Sequence, residues 1–384
     1  MSSDWLQHEL AQLEAAGLRR RRRCVTPLAD GWCEIEGRRL RNFAGNDYLN
    51  LSHDPRVMAA ACEAARQGGA GVTASALVTG RSRWHVQLEA TIAEFLQQPA
   101  AILFPTGYAA NVGTITALAG PKDVIFCERL NHASLVDGCR LSGARLRVFR
   151  HTELAKLERS LERDGNSARR RLIVTDSLFS MDGVAAPLDE LASLAERHDA
   201  LLVVDEAHAF GVLGENGCGL VSAEILKSAR VVRIATLSKA VGSLGGFVAG
   251  ERDLIDWLWN RARPQMFSTT LPPSACAAAE TALRLIQQEP WRREAVLSRA
   301  AELRAGLKEL GQNAEGIGPI VPIMVRDARR AVELAGTLED AGFVVAAIRP
   351  PTVPQETSRL RITLSAAHSA DAVGELLRVL RTLL

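Results

Sequence analysis

A chain of 384 residues that is 47% hydrophobic and 23% charged has a globular profile, long enough for a large domain and a smaller one. Lys+Arg 46 against Asp+Glu 44 gives a formal net charge of +2, so no bulk field points to nucleic acid as a partner. The seven cysteines are odd in number and scattered, with no CxxC pair and no zinc-ligand spacing; they read as reduced thiols of a cytoplasmic protein without a metal site.

The opening MSSDWLQHELAQLEAAGL has helical periodicity and acidic residues, unlike a signal peptide. No apolar run approaches the ~18 residues of a membrane span, so no membrane contact is expected. The arginine run at 19–23 lacks interleaved aromatics and reads as a solvated face. Further on, β-branched or aliphatic runs predict strands at 101–104, 123–126, 145–149, 171–175, 201–204, 231–236 and 246–249. Helical patterns lie between several of them, as at 111–119 and at 188–198 behind Pro187. Strands alternating with helices predict an α/β domain with a mostly parallel sheet, whose ligand crevice lies beyond the C-terminal strand ends. After STTLPPSA (268–275) the pattern changes to helices at 276–289 and 296–310. Strand-like runs at 320–325, 343–348 and 360–364 and helices at 329–340 and 370–384 complete a small α+β C-terminal domain. The expected organisation is an N-terminal helix and arm (1–48), a large α/β domain (49–272) and a C-terminal α+β domain (273–384).

The strand ends carry the chemistry. IATLSKAVGSLGGFVAG (234–250) places Lys239 where a buried run ends in glycines. Alone, that is a solvated lysine at a strand end. The run 201–204 delivers DEAHAFG, with Asp205 and His208, and a carboxylate after four aliphatic residues needs a cation or donor. The run 171–175 delivers DSLFSMDG, with Asp176, Ser180 and Asp182; ERLNHASLVDG offers His132. PTGYAAN opens a helix at Gly107 and Tyr108, whose free N–H groups suit an anion. An anion cradle, a buried carboxylate, two imidazoles and a lysine on one sheet edge form the set that pyridoxal phosphate requires. GENGCG (214–219) follows a loop and lacks the lysine of a phosphate-binding loop. His8, His53, His85, His151, His198 and His368 converge on nothing and read as core or surface.

DEAHAFGVLG, TLSKAVGSLGGFVAG, NHASLVDG, FSMDG and RLRITLSAAH resemble the α-oxoamine synthases, a fold-type I (aspartate-aminotransferase-like) pyridoxal-phosphate family, in order from 42 to 368. The resemblance implies that Lys239 binds the cofactor aldehyde and moves the Cα proton, that Asp205 pairs with the ring nitrogen, and that His208 contacts the phenolic oxygen. It implies that His132 stacks on the ring, that Gly107, Tyr108 and Thr236 serve the phosphate, and that Ser180 lies beside the ring. Ser268 and Thr269 are implied to reach the cofactor of a second subunit, making a homodimer with shared sites. Arg361 with Asn46 is implied to hold the amino-acid carboxylate, and Thr352 to belong to the acyl pocket. Gapless matching back from Asn46 puts the acyl-binding arginine at Arg20, within a run that also offers Arg21 and Arg22. AIRPPTVPQETSRLRITLSAAH (347–368) most resembles members that join L-alanine to a pimeloyl thioester, carried on CoA or acyl carrier protein. Glycine with acetyl-CoA is the alternative within the family, and a non-catalytic cofactor-binding regulator the alternative outside it. The segment GAGVTASALVTG (69–80), Ser238, Ala240 and Glu206 depart from the family's pattern, at positions given no chemical role.

Overall fold

The computed structural model describes residues 4–165 and 167–384; the first three residues of the expected N-terminal arm lie outside them. The chain divides into two compact units. One comprises Leu51–Ser180 and Val184–Arg293, the other the residues up to Asn50, Met181–Gly183 and Glu294–Leu384.

The first unit is built on a seven-stranded sheet. Its strands are β1 (Ala100–Phe104), β2 (Val124–Glu128), β3 (Arg145–Phe149), β4 (Arg171–Asp176), β5 (Leu201–Asp205), β6 (Val231–Thr236) and β7 (Gly246–Gly250). The order across the sheet is β1-β7-β6-β5-β4-β2-β3. β7 runs antiparallel to both β1 and β6, and the other neighbours pair in parallel. Near-continuous aliphatic strands are the mark of a sheet covered on both faces. One face packs Ile102, Val174, Val203, Ile234 and Val248 under the helices Gly107–Leu118 and Arg252–Arg261. The other packs Phe126, Ile173, Leu202 and Val204 under Leu188–Arg197. Every predicted strand of this sheet is present, and the mixed α/β architecture is that of a fold-type I enzyme.

The second unit holds two small sheets. Val25–Pro27, Trp32–Ile35 and Arg38–Asn42 form an antiparallel ribbon, with Phe343–Val344 added in parallel. Ile320–Arg326, Ser358–Thr363 and Ala346–Ile348 form the other. The single run predicted at 343–348 is thus two strands, each pairing into a different sheet.

The domain boundaries differ from those read in the sequence. The expected break at 272/273 falls after Arg293, because the helix Pro273–Gln288 buries its alanine-rich face against Pro55–Gly68 and Arg83–Phe95 of the large unit. The expected separate arm is part of the C-terminal unit, because its ribbon needs Val344 to cover the small core of Cys33, Ile35 and Leu40.

Candidate active site

A cavity of about 190 Å³ opens at the C-terminal ends of the parallel strands. Each strand end contributes one part. After β1, Thr106 caps the helix Gly107–Leu118, its hydroxyl accepting from Ala109 N at 3.0 Å. That cap leaves the first N–H groups of the helix, including those of Gly107 and Tyr108, directed out of the helix toward an anion. Glycine is needed at 107: a Cβ there would sit 3.1 Å from the Thr236 side chain at the end of β6. The helix begins four residues before the predicted apolar pattern because the cap, rather than the hydrophobic face, sets its start.

After β2, His132 caps Ala133–Leu141 through its own ring, with Ser134 N donating to Nδ1 at 3.3 Å. β5 ends at Asp205, which is 5% exposed; Oδ2 accepts from Asn111 Nδ2 at 2.6 Å and Oδ1 from Ala207 N at 2.8 Å. Three residues on, His208 Nε2 lies 2.8 Å from Lys239 Nζ, which follows β6. Burial holds the His132 imidazole below its usual range; the Asp205 carboxylate opposes this and the Lys239 charge adds to it. Asp176, the β4 residue in register with Asp205, is buried and accepts from His132 N at 2.7 Å. Burial, and then the charge of Asp205, push its carboxyl well above the usual carboxylate range.

Lys239, His208, Asp205, His132, Gly107, Tyr108 and Thr236 therefore line one cavity. Ser180 is buried at the end of the loop after β4, and it is not among the residues lining that cavity. Ser268 and Thr269 follow the short helix Arg263–Phe267 away from it; Thr269 is exposed and bridges to Ser75 of the 69–80 segment. In the other unit, Arg361 donates to Asn46 Oδ1 at 3.2 Å and to Tyr48 Oη at 3.4 Å. Arg20 and Thr352 meet the same loop, Arg20 donating to Pro350 O at 3.3 Å and Thr352 N to Arg349 O at 3.1 Å.

The sequence gave no notice of Asn111 and Ser134, and assigned no role to Asp176. Thr106 could have been recognised as a helix cap. Asn111 could not, since nothing but the fold brings it to Asp205. Glu206 is a packing element: its carboxylate pairs with Arg233 at 2.7 Å and accepts from Leu220 N and Val221 N, with both charged side chains almost fully buried. His85 bonds Ser82 and Leu271 O, and His151 bonds Glu128, as structural histidines do. Among the described residues no group of His, Cys, Asp or Glu could hold a metal ion, and no helix is long and apolar enough to cross a membrane.

An amine beside an imidazole, a buried acceptor carboxylate and an N–H-rich helix start are the donor set that pyridoxal phosphate needs: an aldehyde partner, a ring-nitrogen partner and a phosphate cradle. The chain matches the family described as Aminotransferase class I and II over residues 38–380. It is 49% identical to the 8-amino-7-oxononanoate synthase of Anaeromyxobacter dehalogenans over 99% of this chain and 96% of that one. Its structure resembles a serine palmitoyltransferase from S. paucimobilis with bound PLP, with a TM-score of 0.93 and 31% identity over 99% of this chain and 97% of the other. It also resembles the 8-amino-7-oxononanoate synthase of Francisella tularensis, with a TM-score of 0.76 and 27% identity over 89% and 97% of the two chains.

Proposed function

We infer the reaction from the premise that this chain belongs to the Aminotransferase class I and II family and, within it, to the α-oxoamine synthases. It is a pyridoxal-phosphate-dependent acyltransferase that joins L-alanine to a pimeloyl thioester with loss of carbon dioxide. The convergence of Lys239, Asp205, His208 and His132 with the capped start of Gly107–Leu118 in one cavity carries this reading.

Bound pyridoxal phosphate supplies an electron sink that stabilises negative charge at the amino acid's Cα. The residues do the rest. Lys239 Nζ is the amine that holds the cofactor aldehyde and, when the substrate amine displaces it, takes the proton from Cα and later returns one. Asp205 holds the proton on the ring nitrogen, and His208 serves the phenolic oxygen. The N–H groups at Gly107 and Tyr108 and the Thr236 hydroxyl bind the phosphate, and Ser180 supports the ring. Arg361 and Asn46 hold the alanine carboxylate until it departs as carbon dioxide. His132 steers the thioester, whose carbonyl carbon bonds to Cα as the thiol leaves. Arg20 and Thr352 receive the acyl chain, whose distal carboxyl-derived end suits a guanidinium. Ser268 and Thr269 complete the site of a second copy in a homodimer. Seven free cysteines, three of them exposed or half-buried, fit a reducing cytoplasm.

The test is a steady-state assay crossing alanine, glycine and serine with acetyl, succinyl, palmitoyl and pimeloyl thioesters on CoA and on acyl carrier protein. Alanine with a pimeloyl donor is expected to give the highest kcat/KM. Preference for glycine with acetyl-CoA would replace this reading by the family alternative, and turnover of no pair would favour a regulator.

A further inference from the structure

Asn111 lies one turn into the helix Gly107–Leu118 and is 2% exposed. Its amide nitrogen makes two hydrogen bonds, to Asp205 Oδ2 at 2.6 Å and to Ser134 Oγ at 2.8 Å. An amide has two N–H donors, so both are committed. Turned over, its oxygen would face a carboxylate oxygen, and repulsion forbids that orientation.

The directions of the neighbouring bonds then follow. Ser134 Oγ accepts from Asn111, so its own proton is available to His132 Nδ1, which lies 2.7 Å away. Ser134 N donates to the same nitrogen. Nδ1 is therefore an acceptor twice over, and a neutral ring must carry its proton on Nε2. The depressed pKa of His132 is consistent with a neutral ring. Meanwhile Asn111 Oδ1 is buried with no hydrogen-bond partner among the described residues. A buried amide with an orphaned oxygen is a poor choice for stability alone, because the unmade bond is costly. The position makes sense if the two N–H groups are what the site requires.

We propose that Asn111 is a positioning residue for the condensation: it orients the Asp205 carboxylate and, through Ser134, fixes His132 as the Nε2–H tautomer, a donor to the thioester carbonyl oxygen. Negative charge develops on that oxygen as the carbon–carbon bond forms, and a pre-set neutral N–H stabilises it without a proton leaving the ring. This role rests on the assignments of Asp205 and His132 made under the proposed function.

The experiment uses holoenzyme labelled with ¹⁵N-histidine and long-range ¹H–¹⁵N correlation at neutral pH, with His132→Gln identifying the signal. In the unsubstituted protein His132 should show one bare nitrogen, Nδ1, and one protonated nitrogen, Nε2. A protonated Nδ1 there would overturn the proposal without any need for a variant to fold. Ser134→Ala cuts only the His132 branch of the relay: the two nitrogen signals should move toward an average. Its kcat/KM for the thioester should fall roughly 10-fold while the alanine-induced absorbance change is unaltered. Asn111→Ala cuts both branches, so the alanine-induced change should be impaired as well. An unchanged Nε2–H tautomer in both folded variants would also overturn the relay. The tautomer is read without thioester, so a holoenzyme that shows the predicted signals but condenses another substrate pair supports the relay and rejects only the substrate assignment.

Discussion

His368 follows the strand Ser358–Thr363 and buries its ring against Phe43, with centroids 3.9 Å apart, while Ser365 N donates to Nδ1 at 3.1 Å. Burial, reinforced by the charge of Arg41 and opposed by a main-chain contact at Asn42, lowers its pKa from 6.5 to about 4. The unfolded ring titrates near 6.5, so as pH falls the unfolded chain takes up the proton first. A depressed pKa therefore means stability that is fully present above 6.5 and is lost as pH falls toward 4. At 1.36 kcal/mol per unit, a shift of about 2.5 units amounts to ~3.4 kcal/mol at most, of which ~2 kcal/mol is gone by pH 5. His368→Phe keeps an aromatic face toward Phe43 and removes the titration, leaving the Ser365 N–H without its acceptor at a cost of ~1 kcal/mol. At pH 7 the variant should be the less stable of the two, and at pH 5 the more stable. Hydrogen–deuterium exchange of peptides spanning 358–368 reads this directly, because the intrinsic pH dependence of exchange cancels between the two proteins. Parallel pH profiles would mean that the ring titrates normally and that its burial has been misjudged.

Lys239→Ala should abolish borohydride trapping of the cofactor on the chain; a trapped peptide lacking residue 239 would sink its assignment. Glu206→Gln leaves Arg233 buried beside a neutral partner and should destabilise the protein by ~3–5 kcal/mol, whereas replacing both residues with methionine should recover most of that loss in thermal unfolding. Arg20→Ala should raise KM for the pimeloyl donor without altering the alanine-induced absorbance change; if Arg21 or Arg22 carries that phenotype instead, the alignment of the arginine run is displaced. Chains with Lys239→Ala and chains with both Ser268 and Thr269 made bulky and apolar, each inactive alone, should regain activity in about a quarter of sites when refolded together. Mixed dimers that form without recovering activity would place all of these groups in one chain.

The sheet was legible because its strands are nearly unbroken aliphatic runs, and the cavity because each run ends in a residue that cannot remain buried without a partner. Lys239, Asp205 and His208 announce themselves in this way. What stayed hidden depends on tertiary placement. Asn111 reads as one polar residue in an apolar helix, and only the approach of that helix to β5 shows its partners. Glu206 read as a departure from a family pattern because Arg233, its counter-charge, lies on the neighbouring strand. The ribbon at 25–42 was missed because its short strands are rich in arginine and largely exposed, so they lack the alternation that marks a half-buried strand. The helix Pro273–Gln288 was detected but assigned to the wrong unit, since a change in periodicity marks an element and not what it packs against.

The antiparallel strand β7 has a consequence for how the chain is made. β1 sits at the sheet's edge, and β7 is its neighbour, with Phe104 opposite Gly246. A Cβ at Gly246 would lie 2.6 Å from Thr106 O and Gly107 Cα, so β7 also seats the capped turn that opens the anion-binding helix. During synthesis, β1 and that turn emerge early and wait with an unpaired edge while β2 through β6 are still being translated. Such delayed, long-range pairing is slow and leaves the strand open to association with other chains. Lys239 lies just ahead of β7, so the amine and the seat of the anion cradle become available almost together, at the end of the wait. Chains cut short before Gly250 leave β1 without its full complement of partners, and they are the aggregation-prone fragments this topology generates.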